Sequence, residues 1–193
     1  MAKIATTLRT HWKKSIFFSG VAVYGANWAK KKHDDNNLMK ELCLEALKYG
    51  ELNHNLTVPL YNVTVILNPA SGSGKAKTKF ENYCAPLLHL AGLRVSVVRT
   101  EAQGQAKDLM EIMKDADAVL IAGGDGTLME AVTGLLRRSD ADAVCRSLPI
   151  GVLPVGNTNQ LAKALYPFAA QDDVALMANA TMSVVRHLFR PMD

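Results

Sequence analysis

The chain has 193 residues, of which 49% are hydrophobic, 21% charged and 6% aromatic. That composition excludes wholesale disorder, collagen-like repeats and a disulfide scaffold, and the length suits one full domain with some chain to spare. Seven of the 22 basic residues and none of the 18 acidic ones fall in the first 33 positions. The remainder is therefore net negative by three, which argues against a nucleic-acid-binding domain.

Residues 15–29 form an uncharged stretch with Ile16, Phe17, Phe18, Val21, Val23, Tyr24 and Trp28, framed by Lys13-Lys14 and Lys30-Lys31-Lys32. As a helix it would reach roughly 22 Å, short of the ~30 Å hydrocarbon core of a bilayer. A secretory signal would share the apolar run, but the lysine cluster after it makes a poor cleavage site. A core helix and a basic mitochondrial address are further readings. Lysine stems that snorkel, with aromatic side chains at the interface, favour a segment over 1–33 that associates with a membrane or targets the mitochondrion.

Residues 34–59 read as a helix and connector, with Asp34-Asp35 at its start, Gly50 ending the helix and Pro59 marking the entrance to the main domain. From 60 to 182 short apolar runs alternate with helical stretches. Strands are expected at 63–67 (VTVIL), 94–99 (RVSVVR), 118–122 (AVLIA) and 149–153 (PIGVL). Helices are expected at 75–90, 105–113, 128–138, 158–165 and 172–179. That order predicts an α/β fold, an open, mostly parallel sheet with helices on both faces and a ligand site at the C-terminal ends of the strands. Residues 182–191 look like a strand, one that adds to the sheet or begins a second domain.

Three of the strand ends carry short polar residues and glycine. The strongest is Gly123, Gly124, Asp125, Gly126 and Thr127, where glycines let the backbone approach a phosphate and the following helix start adds positive partial charge. Asp125 would repel phosphate unless a divalent cation lies between them or it handles a proton. Thr127 and Glu130 have capping-box spacing. Asn68, Ser71, Gly72, Ser73, Gly74 and Lys75 follow the first strand without completing a Walker A loop, and Gly156, Asn157, Thr158 and Asn159 follow the fourth. Cys43, Cys84 and Cys145, like the five histidines, are scattered without metal-type spacing.

Together, Asn68-Pro-x-Ser-Gly, Gly123-Gly-Asp-Gly-Thr-Leu-x-Glu and Pro154-x-Gly-x-x-Asn159-x-Leu-Ala resemble the diacylglycerol kinase catalytic domain shared by bacterial lipid kinases, sphingosine kinases, ceramide kinase and acylglycerol kinase. Residues 7–14 (TLRTHWKK), 88–92 (LHLAG) and 104–107 (GQAK) are similar to the acylglycerol kinase branch. The resemblance implies transfer of a phosphoryl group from ATP, with Mg²⁺, to mono- or diacylglycerol at the mitochondrial inner membrane facing the intermembrane space. It also implies a non-catalytic part in the translocase that inserts carrier proteins there. It assigns nucleotide binding to Asn68, Ser71, Gly72, Gly74, Thr100, Gly123, Gly124, Gly126, Thr127, Asn157 and Asn159, and the transfer step to Asp125. Asn157 stands where the family has Thr or Ser, and Gln160 where it has Asp. The family's second, β-sandwich domain is expected to begin at 183–193, leaving this chain a weak or inactive fragment. A membrane-tethered interaction subunit is the alternative, and an NAD-kinase-type enzyme is disfavoured by the hydrophobic N-terminus.

Overall fold

The computed structural model describes residues 12–55, 61–114 and 116–189. The chain divides into two compact units, one up to Leu38 and one from Met39 onward. Helix α1, Trp12–Asn55, has no internal proline, and its residues fall partly in each unit. In the first unit Ile16, Phe17, Phe18, Val21, Val23, Tyr24 and Trp28 are all exposed. The Phe17 and Phe18 rings meet edge to face at 5.9 Å, and the Lys32 ammonium lies 5.2 Å from the Trp28 ring centre. No helix among the described residues is long and apolar enough to cross a membrane.

In the second unit α1 buries Leu42 and Ala46. The helix does not end at Gly50 as expected but continues to Asn55. Gly50 serves close approach instead, since a Cβ there would lie 2.2 Å from the Leu90 carbonyl oxygen. The expectation for Pro59 lies outside the described residues.

Four strands follow: β1 (Asn62–Leu67), β2 (Arg94–Arg99), β3 (Ala118–Gly123) and β4 (Ile150–Pro154). All pair in parallel, in the order β2-β1-β3-β4. The β-branched and aliphatic runs suit this sheet, and every residue of central β3 is buried. Between β1 and β2 the chain is helical through α2 (Ala76–Lys79), a π turn (Phe80–Cys84) and α3 (Ala85–Leu90). Helices α4 (Gln105–Ile112) and α5 (Asp125–Leu136) cover one sheet face, with Ile66, Val119 and Ile121 packed against Ala106, Met110, Ala131 and Leu135. Next come α6 (Ala141–Ser147), α7 (Gln160–Leu165), a 3₁₀ turn (Pro167–Ala169) and α8 (Asp173–Leu188).

Helix α8 corrects the strand expected over 182–191: it is helical through Leu188, and residues 190–193 lie outside the described ones. Its start is capped by Asp172, whose carboxylate accepts from the amides of Val174 (2.8 Å) and Ala175 (3.0 Å). Buried Val174, Met177, Ala178, Thr181, Met182, Val185 and Leu188 recur every three or four positions. An eight-residue window ending the apolar pattern shows too little of that period.

The register sets up the site. Leu67 pairs with Arg99 on one side and Ala122 on the other, and Gly123 with Pro154. All four strands therefore end nearly level, and their following loops leave from one edge. The chain crosses to opposite sides of the sheet after β1 and β3, so the crevice between those two ends is where an open α/β sheet takes a ligand.

Candidate functional site

The loop after β1 turns back on itself: the Asn68 side-chain oxygen accepts from the Ala70 amide at 3.0 Å, and Gly72, Ser73 and Gly74 all take positive φ. Gly72 is required twice, by its φ of 62° and because a Cβ would meet the Val155 carbonyl at 2.4 Å. Across the crevice, Asn68 Nδ2 donates to Thr127 Oγ1 at 2.9 Å, and the Ser71 hydroxyl lies 3.5 Å from the same oxygen. Asn157 Nδ2 donates to Ser73 Oγ at 3.0 Å, joining the first loop to the third.

The central and third loops are fastened more closely still. The Gly156 amide donates to the Gly123 carbonyl and the Asp125 amide to the Thr158 carbonyl, both at 3.1 Å. A Cβ on Gly156 would lie 2.4 Å from the Gly124 Cα. Part of the glycine content thus serves loop-on-loop packing.

These loops enclose one open hollow of ≈ 460 Å³, lined by Asn68, Ala70, Ser71, Gly72, Ser73, Gln103, Gly124, Gly126, Thr127, Glu130, Gly156, Asn157 and Thr158. Of the residues singled out in the sequence, Asn68, Ser71, Gly72, Gly124, Gly126, Thr127 and Asn157 line it, whereas Gly74, Thr100, Gly123, Asp125 and Asn159 do not. Thr100 is buried and its amide extends the sheet by donating to the Leu67 carbonyl at 2.9 Å. Asn159 is buried, and its side-chain oxygen has no hydrogen-bond partner among the described residues. Gln103 was not foreseen, although its place beyond the end of β2 is the general signal for it. A second hollow, ≈ 340 Å³ and apolar, lies against Pro149–Val152 and α8, away from the loops, and carries none of their polar groups.

The capping-box reading of Thr127 and Glu130 is overturned. Helix α5 starts two residues before Thr127, at Asp125, with Gly124 as its cap residue and no side-chain cap. Thr127 uses its hydroxyl on Asn68, and Glu130 lines the hollow. First-turn amides have no partner within a helix. With the Asp125 amide on Thr158, those of Gly126 and Thr127 remain at a helix start that bounds the hollow. Gly126 is informative because φ there is not positive and a Cβ would meet nothing within 4 Å. Neither conformation nor packing requires glycine at that position, which leaves room for something that approaches from the hollow.

Asp125 turns its carboxylate to the third loop, accepting from the amides of Gln160 (3.0 Å) and Leu161 (3.5 Å). Among the described residues no group of three or more Asp, Glu, His or Cys could hold a metal. A magnesium ion bound with a nucleotide needs only one or two carboxylates besides phosphate oxygens and water. Glu130 in the hollow's lining fits that mode, whereas the Asp125 carboxylate is taken up by the amides of Gln160 and Leu161.

A family model for the diacylglycerol kinase catalytic domain matches residues 62–193. The mitochondrial acylglycerol kinase of Xenopus laevis is 44% identical over 195 residues, spanning 100% of this chain and 45% of that protein. That of Homo sapiens is 41% identical over 187 residues, spanning 97% and 44%. Sphingosine kinase 1 of Homo sapiens is 35% identical over 136 residues, spanning 68% and 35%. The chain thus spans less than half the length of these curated relatives. A crystal structure of a diacylglycerol kinase from Bacillus anthracis matches with a TM-score of 0.52 at 24% identity, over 68% of this chain and 42% of that one, a likeness of fold. With its four level strand ends and the matched 62–193 segment, the chain belongs to the diacylglycerol kinase catalytic-domain family.

Proposed function

We propose that this chain is the nucleotide-binding part of a mitochondrial lipid kinase that passes the γ-phosphoryl group of ATP to the hydroxyl of a mono- or diacylglycerol. The observation that carries the reading is the hollow at the strand ends, where Gly126 leaves space that the fold itself does not require. Gly126 and Thr127 would offer main-chain N–H groups to the phosphates, and the hydroxyl and amide groups of Ser71, Ser73 and Asn157 would orient them. Mg²⁺, when bound with ATP, would neutralise charge on the transferring group. Glu130, which lines the hollow, would help to hold that ion, and Asp125 would be the group that takes the proton of the lipid hydroxyl. The exposed aromatic and aliphatic side chains of residues 16–28, next to Lys30, Lys31 and Lys32, would keep the domain at an anionic membrane surface, where such a substrate is concentrated.

The test is product formation from labelled ATP with monoacylglycerol, diacylglycerol, sphingosine or NAD offered in parallel. Phosphorylated acylglycerol is the expected product, and label in sphingosine or NAD alone would overturn the substrate class. One observation favours a second reading, a membrane-tethered, non-catalytic subunit of the inner-membrane carrier translocase. Among the described residues, no lysine or arginine lines the hollow. Retention of the chain by that translocase without any response to Mg·ATP would select this reading.

A further inference from the structure

Helix α7 (Gln160–Leu165) starts at Asn159, a residue type that normally caps a helix with its own side chain. Here it does not. Asn159 Nδ2 donates to the Gly156 carbonyl at 2.9 Å, and no side-chain cap bond is made at its position. The first-turn amides are taken instead by a carboxylate 35 positions away in sequence, with Asp125 Oδ2 accepting from Gln160 and Oδ1 from Leu161. The Asp125 amide in turn donates to the Thr158 carbonyl, so this residue grips the third loop from both sides of its last turn.

We infer that Asp125 is a positioning residue: its carboxylate caps α7 from a distance and so fixes the loop that carries Asn157 and Thr158 into the hollow. A charge at a helix start is favoured over a neutral acceptor, but the oxygen geometry supplies most of a cap's worth. Loop and central turn therefore move as one body, held additionally by the Gly156–Gly123 bond. The tether stands independently of the kinase reading, and only its consequence for Mg·ATP affinity rests on it.

Hydrogen–deuterium exchange on the 193-residue chain tests the tether. Asp125→Ala is expected to speed exchange in 160–165 about tenfold with β1 and β3 unchanged, while Asp125→Asn, whose oxygen still accepts, stays within about threefold of the wild type. Gln160→Pro deletes the same bond from its other end, at a helix position that tolerates proline, and its loosening should not add to that of Asp125→Ala. Unchanged exchange in 160–165 on Gln160→Pro overturns the tether even if Asp125→Ala fails to fold, and additive loosening overturns it too. Titration with Mg·ATP gives the second readout, about tenfold weaker binding for Asp125→Ala and near-native binding for Asp125→Asn. Equal weakening by both substitutions would show that charge, not positioning, matters there and would sink the positioning role. A wild-type chain that phosphorylates no lipid, yet shows this exchange pattern, leaves the tether supported and refutes only the kinase reading.

Discussion

Two glycines of α5 look alike in the sequence and carry opposite physical meanings. At Gly134 a Cβ would lie 2.1 Å from the Lys107 carbonyl oxygen, so glycine lets α4 and α5 touch backbone to backbone. Gly134→Ala must push these helices apart, at a cost of about 1–3 kcal/mol that outweighs alanine's helical preference of about 1 kcal/mol. At Gly126 the same substitution meets no atom. Gly126→Ala should leave stability unchanged or raise it by up to about 1 kcal/mol, while weakening the response to Mg·ATP. Chemical denaturation paired with nucleotide titration reads both signs, and an alanine at 126 that binds Mg·ATP as well as glycine would contradict the assigned use of that space. The glycine-rich motif marks Gly126 in the sequence, whereas Gly134 depends on a tertiary contact with α4 that no local pattern announces. The cysteines separate similarly by environment. Complete burial pushes the Cys84 thiol up to about 12, while Cys145 is exposed. At about pH 8 a water-soluble thiol reagent should therefore modify Cys145 in the folded chain and Cys84 only on unfolding, as followed by mass spectrometry of their peptides.

Among the elements, the four strands were legible because each is a short β-branched or aliphatic run closed by a polar, glycine-bearing turn or, for β2, by Thr100 and a later Gly104. Helix α6 (Ala141–Ser147) was not legible, and the structure gives the reason: none of its residues is buried, so it has no apolar period to read. Helix α8 failed in the opposite way, its terminal Val184-Val185 pair imitating a strand although the buried positions keep helical spacing. The same stretch bears a contact with α1 that can be tested by acid. Arg186 donates through Nε and Nη2 to the two carboxylate oxygens of Glu45 at 2.7 and 2.8 Å. That hydrogen-bonded guanidinium holds the Glu45 carboxyl below its ordinary value of 4.5. With the folded value depressed, the pair stabilises fully above 4.5 and loses its contribution as pH falls from there through the folded value. Arg186 is 44% exposed and Glu45 32%, which limits the pair to at most about 1 kcal/mol. Urea denaturation should show wild type and Arg186→Met farthest apart near neutrality and converging as pH falls below 4.5, and a gap that widens in acid would refute the sign.

At the scale of the whole molecule, the site was legible because three loops with the same chemistry leave one edge of one sheet. What escaped was how they interlock: Asn68 on Thr127, Ser73 on Asn157, Asp125 on the start of α7. These bonds tie residues more than 30 positions apart and follow from strand register, which composition does not encode. Charge gives the last consequence. The chain beyond residue 33 is net negative, and among the described residues the hollow's only charged lining residue is Glu130. A triphosphate entering there meets main-chain amides but, among the described residues, no side-chain cation in the lining, so a divalent ion that it brings would balance its charge. Nucleotide binding should therefore depend strictly on metal. At a hundredfold excess over Kd, Mg·ATP should stabilise the folded chain by about 2.7 kcal/mol, while ATP with a chelator should give no more than a small fraction of that. For a chain of this size the difference amounts to about 5–11 °C in Tm. Equal shifts with and without the metal would mean that a cation outside the hollow reaches the phosphates. No shift in either condition would remove the nucleotide from the site and leave the tethered-subunit reading as the better account of the chain.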